Sequence, residues 1–156
     1  MTVMAMITNS ALTRAWTVSA DHLLVFYDLT TKSFTKAWST GHIGHASLVL
    51  SPNEDVLAVG GWDGQIRLFS SATGKPLGDL GYHRESIHVL AFAHNPVQDA
   101  NGTEVESTIE LGDEEDSDQD ESSGGVSDVH RHRWLVSGSK DRRVALWDLM
   151  DFRKSV

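Results

Sequence analysis

His83, Ser137 and Asp141 supply an imidazole, a hydroxyl and a carboxylate, the residue types with which acyl-transfer enzymes build a nucleophile and its base. The chain has no G-x-S-x-G elbow to present such a serine, and Trp147, which keeps a fixed spacing from Asp141, has no role in that mechanism. The structural reading therefore wins, and no residue is assigned as catalytic. Eight histidines also raise the question of a metal. His42 with His45 and His130 with His132 lack an acidic ligand at zinc spacing, and H-E-x-x-H is missing. Without cysteine there is no disulfide scaffold, thiol nucleophile or thiolate zinc site. Neither G-x-x-x-x-G-K-[ST] nor G-x-G-x-x-G occurs, so nothing supports a nucleotide. The expectation is a non-enzyme without metal, cofactor or small-molecule substrate.

The elements that hold these residues come from a repeat. Residues 15–29 (AWTVSADHLLVFYDL), 57–71 (LAVGGWDGQIRLFSS) and 135–149 (LVSGSKDRRVALWDL) superpose, each with an aspartate followed six residues later by an aromatic: Asp21 and Tyr27, Asp63 and Phe69, Asp141 and Trp147. The first two aspartates are 42 residues apart and the last two 78, so the third unit is the same unit with about 36 residues spliced in. Short Val/Ile/Leu/Phe runs between Gly, Asp, Asn and Pro punctuation read as strands, with no sustained helical period. The pattern predicts strands over 3–7, 15–19, 23–29 and 34–38; over 46–50, 56–60, 65–69 and 75–80; and over 87–92, 134–138 and 143–149. Asp63-Gly64 is a tight hairpin signal.

The net charge of −9 belongs to the splice. Twelve acids and no Lys or Arg lie between residues 97 and 130, which leaves ten acids against thirteen bases elsewhere. Such a segment cannot bury enough apolar surface to offset its ordering entropy, so a disordered acidic insertion is expected over 97–130. It reads first as a solvated excursion, and second as a docking tract for a basic partner or, at Ser117, a candidate phosphosite. No apolar run reaches the roughly 18 residues of a membrane helix, and the first seven residues lack the basic flank of a signal peptide. The expectation is an intracellular, soluble protein with no membrane and no direct nucleic-acid partner.

A period near 42, four short strands per unit and the dipeptide Trp147-Asp148 resemble the WD-repeat β-propeller. The fold class expected is all-β, a partial propeller of about three blades of seven. The units run over 1–43, 44–82 and 83–151, the last containing the acidic insertion, with 152–156 as a tail. Since three blades do not close a propeller, the chain is expected to be the C-terminal part of a longer protein. The resemblance implies that His83, Ser137, Asp141 and Trp147 form a hydrogen-bonded chain that fixes the last blade, with Asp63 and Asp21 at the equivalent turns. The second unit departs from the pattern with Val59 and Phe69, and the first with Tyr27.

The stretch GGWDGQIRLFSSATGKPLGDLGYHRESIHVLAFA and the later GSKDRRVALWDL resemble the closing repeats of the fungal ASTRA-associated protein 1 family. The animal relative of that family is the guanine nucleotide-binding protein β-subunit-like protein 1. This resemblance implies a non-catalytic scaffold of the ASTRA complex, concerned with chromatin remodelling and with maturation of phosphatidylinositol-3-kinase-like kinases. Its partners would be ASTRA subunits, RuvB-like ATPases and kinase cochaperones, and its place the nucleus, with the cytoplasm besides. The alternative is a generic interaction adaptor such as a ubiquitin-ligase substrate receptor, against which stands Met150, where that class has Arg or Lys. Trp62 and Lys140 precede the blade aspartates at one turn position and, with Arg142, are candidate partner-binding residues. Trp62 fits equally as packing over a neighbouring blade's turn, and Arg142 and Arg143, with Arg131 and Arg133, fit as counter-charges to the acidic insertion.

Overall fold

The computed structural model describes residues 2–93 and 134–149, and within them every regular element is a β-strand. The acidic insertion 97–130, Ser117, Met150 and the tail 152–156 lie outside the described residues. Strands β1 (Val3–Thr8), β2 (Arg14–Ser19), β3 (Leu23–Asp28) and β4 (Ser33–Ser39) form one antiparallel sheet in sequence order. A second sheet contains β5 (His45–Leu50), β6 (Val56–Gly61), β7 (Gln65–Ser70) and β8 (Pro76–Gly81). The third holds β9 (Ile87–Phe92), β10 (Trp134–Ser139) and β11 (Val144–Asp148), with β10 between the other two.

Tight turns set the registers. Gly64 has φ +80°, the left-handed backbone a two-residue turn needs, and it follows Asp63, whose carboxylate accepts the Gln65 N–H at 3.2 Å. Register then pairs Val59 with Arg67 and Leu57 with Phe69. Because side chains alternate across a strand, residues two apart share a face.

The sheets stack through those faces. Trp16, Val18 and Leu24 of the first sheet close on Leu48, Leu50, Leu57, Val59 and Phe69 of the second. Ala58, Ile66 and Leu68, on the other face of the second sheet, close on Ile87, Phe92 and Leu135 of the third. The middle sheet is thus buried on both sides, which is why β6 and β7 read as near-continuous apolar runs. Strand β5 touches both β1 and β9, so the first strand of each sheet lies beside the first strand of the next. This is the WD-repeat propeller arrangement, with each sheet a blade.

The outer blades each leave one face open. Register aligns Trp16, Ala58 and Val136, and likewise Leu24, Ile66 and Val144, and Phe26, Leu68 and Leu146. Trp16, Ala58, Leu24, Ile66 and Leu68 are all 0% exposed, whereas Val136, Val144 and Leu146 are 38%, 71% and 61% exposed. The third blade therefore presents, uncovered, the apolar positions that the first two use to hold their neighbour.

Candidate functional site

Antiparallel pairing puts the turns at 20–22, 62–64 and 140–143 and the connections at 40–44 and 82–86 at one end of the sheets. The third blade brings together four of the residues singled out in the sequence. Trp147 Nε1 donates to Ser137 Oγ at 2.9 Å, and Ser137 Oγ lies 2.8 Å from His83 Nε2. His83 Nδ1 is 3.2 Å from Asp141 Oδ2, which also accepts the Arg84 N–H at 3.0 Å. The other oxygen, Oδ1, accepts the Arg143 N–H at 3.0 Å. A histidine protonated on Nδ1 satisfies every member: indole to hydroxyl, hydroxyl to imidazole, imidazole to carboxylate. Burial opposes ionisation of Asp141, but the amides of Arg84 and Arg143 and the His83 ring together hold its carboxyl below the usual range.

The connectivity of Ser137, His83 and Asp141 is that of a hydrolase triad, but the surroundings are not. Ser137 is 0% exposed, and its oxygen already receives the Trp147 N–H. A carbonyl substrate has no approach to it, so the arrangement cross-links β10, β11 and the 82–86 loop without chemistry.

The second blade solves the same problem differently, in a way not read from the sequence. Asp63 pairs not with a histidine but with Arg67 of its own hairpin, with Nη2 2.5 Å from Oδ2 and Nη1 3.2 Å from Oδ1. Hydrogen bonding from this guanidinium keeps the Asp63 carboxyl below the usual range. Arg67 is 5% exposed on β7, where its register equivalents are Val25 and Ala145. An arginine at an otherwise apolar inward position, four residues after the turn aspartate, was the signal available. His45 rather than His42 is the buried imidazole of this blade, 0% exposed, with Nε2 2.8 Å from Thr40 Oγ1. Burial, reinforced by Arg67, pushes its pKa down.

In the first blade Asp21 Oδ1 accepts the Leu23 N–H at 2.9 Å, while buried Oδ2 has no partner. Asp21 is thus a turn residue there, and Asp63 and Asp21 stand outside any four-member chain of the kind found in the third blade.

Trp62, Lys140 and Arg142 all lie at the end that carries the aspartate turns. Trp62 is 49% exposed, and its ring lies over Gly44 in the connection leading into its own blade, where a Cβ would come within 2.6 Å of the ring. The connection between β9 and β10 leaves at Phe92 and returns at Trp134, the opposite end of the sheet from Ser139 and Val144. About 17 Å of six-residue strand therefore separates Arg142 and Arg143 from the roots of the acidic insertion. Among the described residues no group of three or more His, Asp or Glu is placed to hold a metal ion.

Residues 14–95 match the family model described as the anaphase-promoting complex subunit 4 WD40 domain, and residues 119–148 match the WD domain, G-beta repeat. ASTRA-associated protein 1 of Verticillium alfalfae is 32% identical over 122 residues, covering 73% of this chain. The Aspergillus niger protein of that name is 27% identical over 126 residues, covering 71%. The mouse guanine nucleotide-binding protein subunit beta-like protein 1 is 28% identical over 106 residues. The chain spans 28%, 29% and 21% of the lengths of these three relatives. Among solved structures, the WD40 repeats of RRP9 superpose with a TM-score of 0.64 at 14% identity, covering 94% of this chain and 35% of theirs.

Proposed function

The chain belongs to the WD40-repeat family, with relatives named ASTRA-associated protein 1, and on that premise we propose that it is a non-catalytic scaffold of an ASTRA-type assembly. The observation that carries the non-catalytic part is the burial of Ser137: the hydroxyl of its triad-like chain is sealed and already partnered. What remains available is a set of loops held on rigid blades, the usual place for recognition on such folds.

The finer reading follows the relatives' name. The scaffold serves chromatin remodelling and the maturation of phosphatidylinositol-3-kinase-like kinases, acts in the nucleus, and binds ASTRA subunits, RuvB-like ATPases and kinase cochaperones. The blade network of His83, Ser137, Asp141 and Trp147 supports it by fixing the loops that carry Trp62, Lys140 and Arg142. We take the repeat units as 1–43, 44–82 and 83–151.

Affinity purification of the tagged protein from its native cells, with mass spectrometry of what co-elutes, tests this. Recovery of RuvB-like ATPases and other ASTRA subunits is expected. Their absence from the eluate, with the tagged chain folded and nuclear, would remove the ASTRA assignment and leave a WD-repeat fold with another partner.

A further inference from the structure

The loops at the aspartate-turn end form one continuous rim. Gly44 N donates to Ala20 O at 3.0 Å, Trp62 N to Gly44 O at 2.7 Å, and Lys140 N to Ser86 O at 3.0 Å. Gly64 packs on the backbones of His83 and Glu85, which joins the second blade's turn to the third blade's loop.

Four exposed cations stand on this rim: Arg84, Lys140, Arg142 and Arg143. The described residues contain nine acids and nine bases, so four cations at one corner are a local excess in a neutral body. Neighbouring acids cancel them only in part. Asp63 is bonded to Arg67, but Asp141, held by His83 and two backbone amides, keeps its charge, and with Glu85 exposed beside it two acids stand against the four cations, an excess of two. The insertion that carries the chain's own acids is rooted at the far end of the sheet. The same rim offers apolar surface, with Ile43 77% exposed and Trp62 49% exposed on its Gly44 seat.

Backbone conformation supplies a clean way to probe the rim. Arg142 holds φ +66° at the turn position where the second blade has Gly64 at φ +80°. Leu12, Lys32 and Glu54 share this left-handed backbone, so it marks no site by itself, but it lets glycine remove the Arg142 cation without adding strain.

We propose that this rim binds a short acidic segment of another protein, which pairs its carboxylates with Arg84, Lys140, Arg142 and Arg143 and lays an apolar side chain against Trp62. The inference rests on the reading of the chain as a binding scaffold and names the chemistry of one partner. Carboxylate peptides are favoured over nucleic acid because polyanion binding draws on many phosphate contacts along a cationic track, whereas this rim combines four cations with a fixed indole. Guanidinium groups match carboxylates two oxygens at a time, which suits Arg84, Arg142 and Arg143.

The test uses the full chain and a fluorescein-labelled 15-residue peptide of Asp and Glu with one central Phe, read by anisotropy. Arg142→Gly is expected to weaken binding by about three- to tenfold, the effect of one charge-assisted contact, while the thermal midpoint holds or rises because the left-handed backbone is relieved. Lys32→Gly is the control. It removes a cation from φ +53°, where the second blade has Gly74 at φ +67°, at the opposite end of the sheets, and should leave the affinity unchanged. Replacing the peptide's Phe by Ser should weaken binding further. Equal losses in both variants, or tighter binding of a 15-nucleotide single-stranded RNA than of the peptide, would overturn the proposal. So would a tenfold gain in peptide affinity on deleting residues 97–127, which would make the chain's own acidic stretch the occupant. These outcomes are separable from the purification experiment, since a failure to recover ASTRA subunits leaves the peptide affinity as measured.

Discussion

Ser137→Ala puts the buried chain of the third blade under the sharpest test. The hydroxyl it removes accepts one hydrogen bond at 2.9 Å from the Trp147 indole and meets His83 Nε2 at 2.8 Å, in a position with no solvent access. The His83 ring is sealed from solvent and Trp147 is partly buried, and each buried group left unsatisfied costs about 1–3 kcal/mol. The expected loss is therefore about 2–4 kcal/mol, large for the deletion of one oxygen atom. Trp147→Phe alone strands no donor, because Ser137 still donates to His83, and removes only the indole's extra contact. In the double variant the unsatisfied indole N–H no longer exists, so the combined loss should be smaller than the sum of the single losses by about 1–2 kcal/mol. The second blade already carries such a pair, Val59 with Phe69, and buries both. Urea unfolding followed by far-UV circular dichroism, compared at constant m-value, reads all four corners of the cycle. A single-variant loss below about 0.5 kcal/mol, or strict additivity, would mean that Ser137 is not the shared node of the chain.

Gly64→Ala should destabilise by about 2–4 kcal/mol, because a Cβ there meets the His83 carbonyl oxygen at 2.4 Å on top of the strain of φ +80°. Gly41→Ala, with φ +76° but open space around its Cβ, should cost only about 1 kcal/mol, and thermal melts of the two variants separate clash from backbone strain. Below the ordinary imidazole pKa of 6.5 the unfolded chain takes up a proton at His45 that the folded chain resists, so stability should fall as pH drops from 6.5 toward the lowered folded value. His45→Gln, which keeps a donor for Thr40, should flatten that part of the stability profile. The lowered carboxyls of Asp28, Glu54, Asp63 and Asp141 act in a more acidic window, stabilising the fold above their ordinary values of 3.8 to 4.5 and releasing that stability as pH falls through the lowered ones. Ala93 N already bonds Trp134 O at 2.9 Å, so deleting residues 97–127 should leave the β9–β10 pairing intact and raise stability by about 1 kcal/mol through the shorter loop. Unfolding on that deletion, seen by circular dichroism, would refute it.

The three turns were legible because a hairpin is a local object: the aspartate, its turn and the aromatic six residues on sit in one short stretch of chain. The partners of those turns were less legible, since they depend on what a neighbouring element brings. Asp63 looked like Asp141 in spacing, yet Arg67 reaches it before any histidine can, and His45 rather than the more conspicuous Gly41-His42 pair fills the interior. The exposure of Val144 and Leu146 was invisible for another reason: their strand is as apolar as Ile66–Leu68, and only the stacking of sheets separates a covered face from an open one. The separation of Arg142 and Arg143 from the acidic insertion likewise needed strand direction, because adjacency in sequence says nothing about which end of a sheet a loop leaves.

The two open faces of the stack are also unlike each other, and that has a consequence for symmetry. One is made of the positions of exposed Val136, Val144 and Leu146, whereas on the other Ala15 and Thr17 are only 3% and 7% exposed. An isologous two-fold contact through either face would set like against like. A heterologous contact, one face to the other, repeats the kind of packing already present between the sheets.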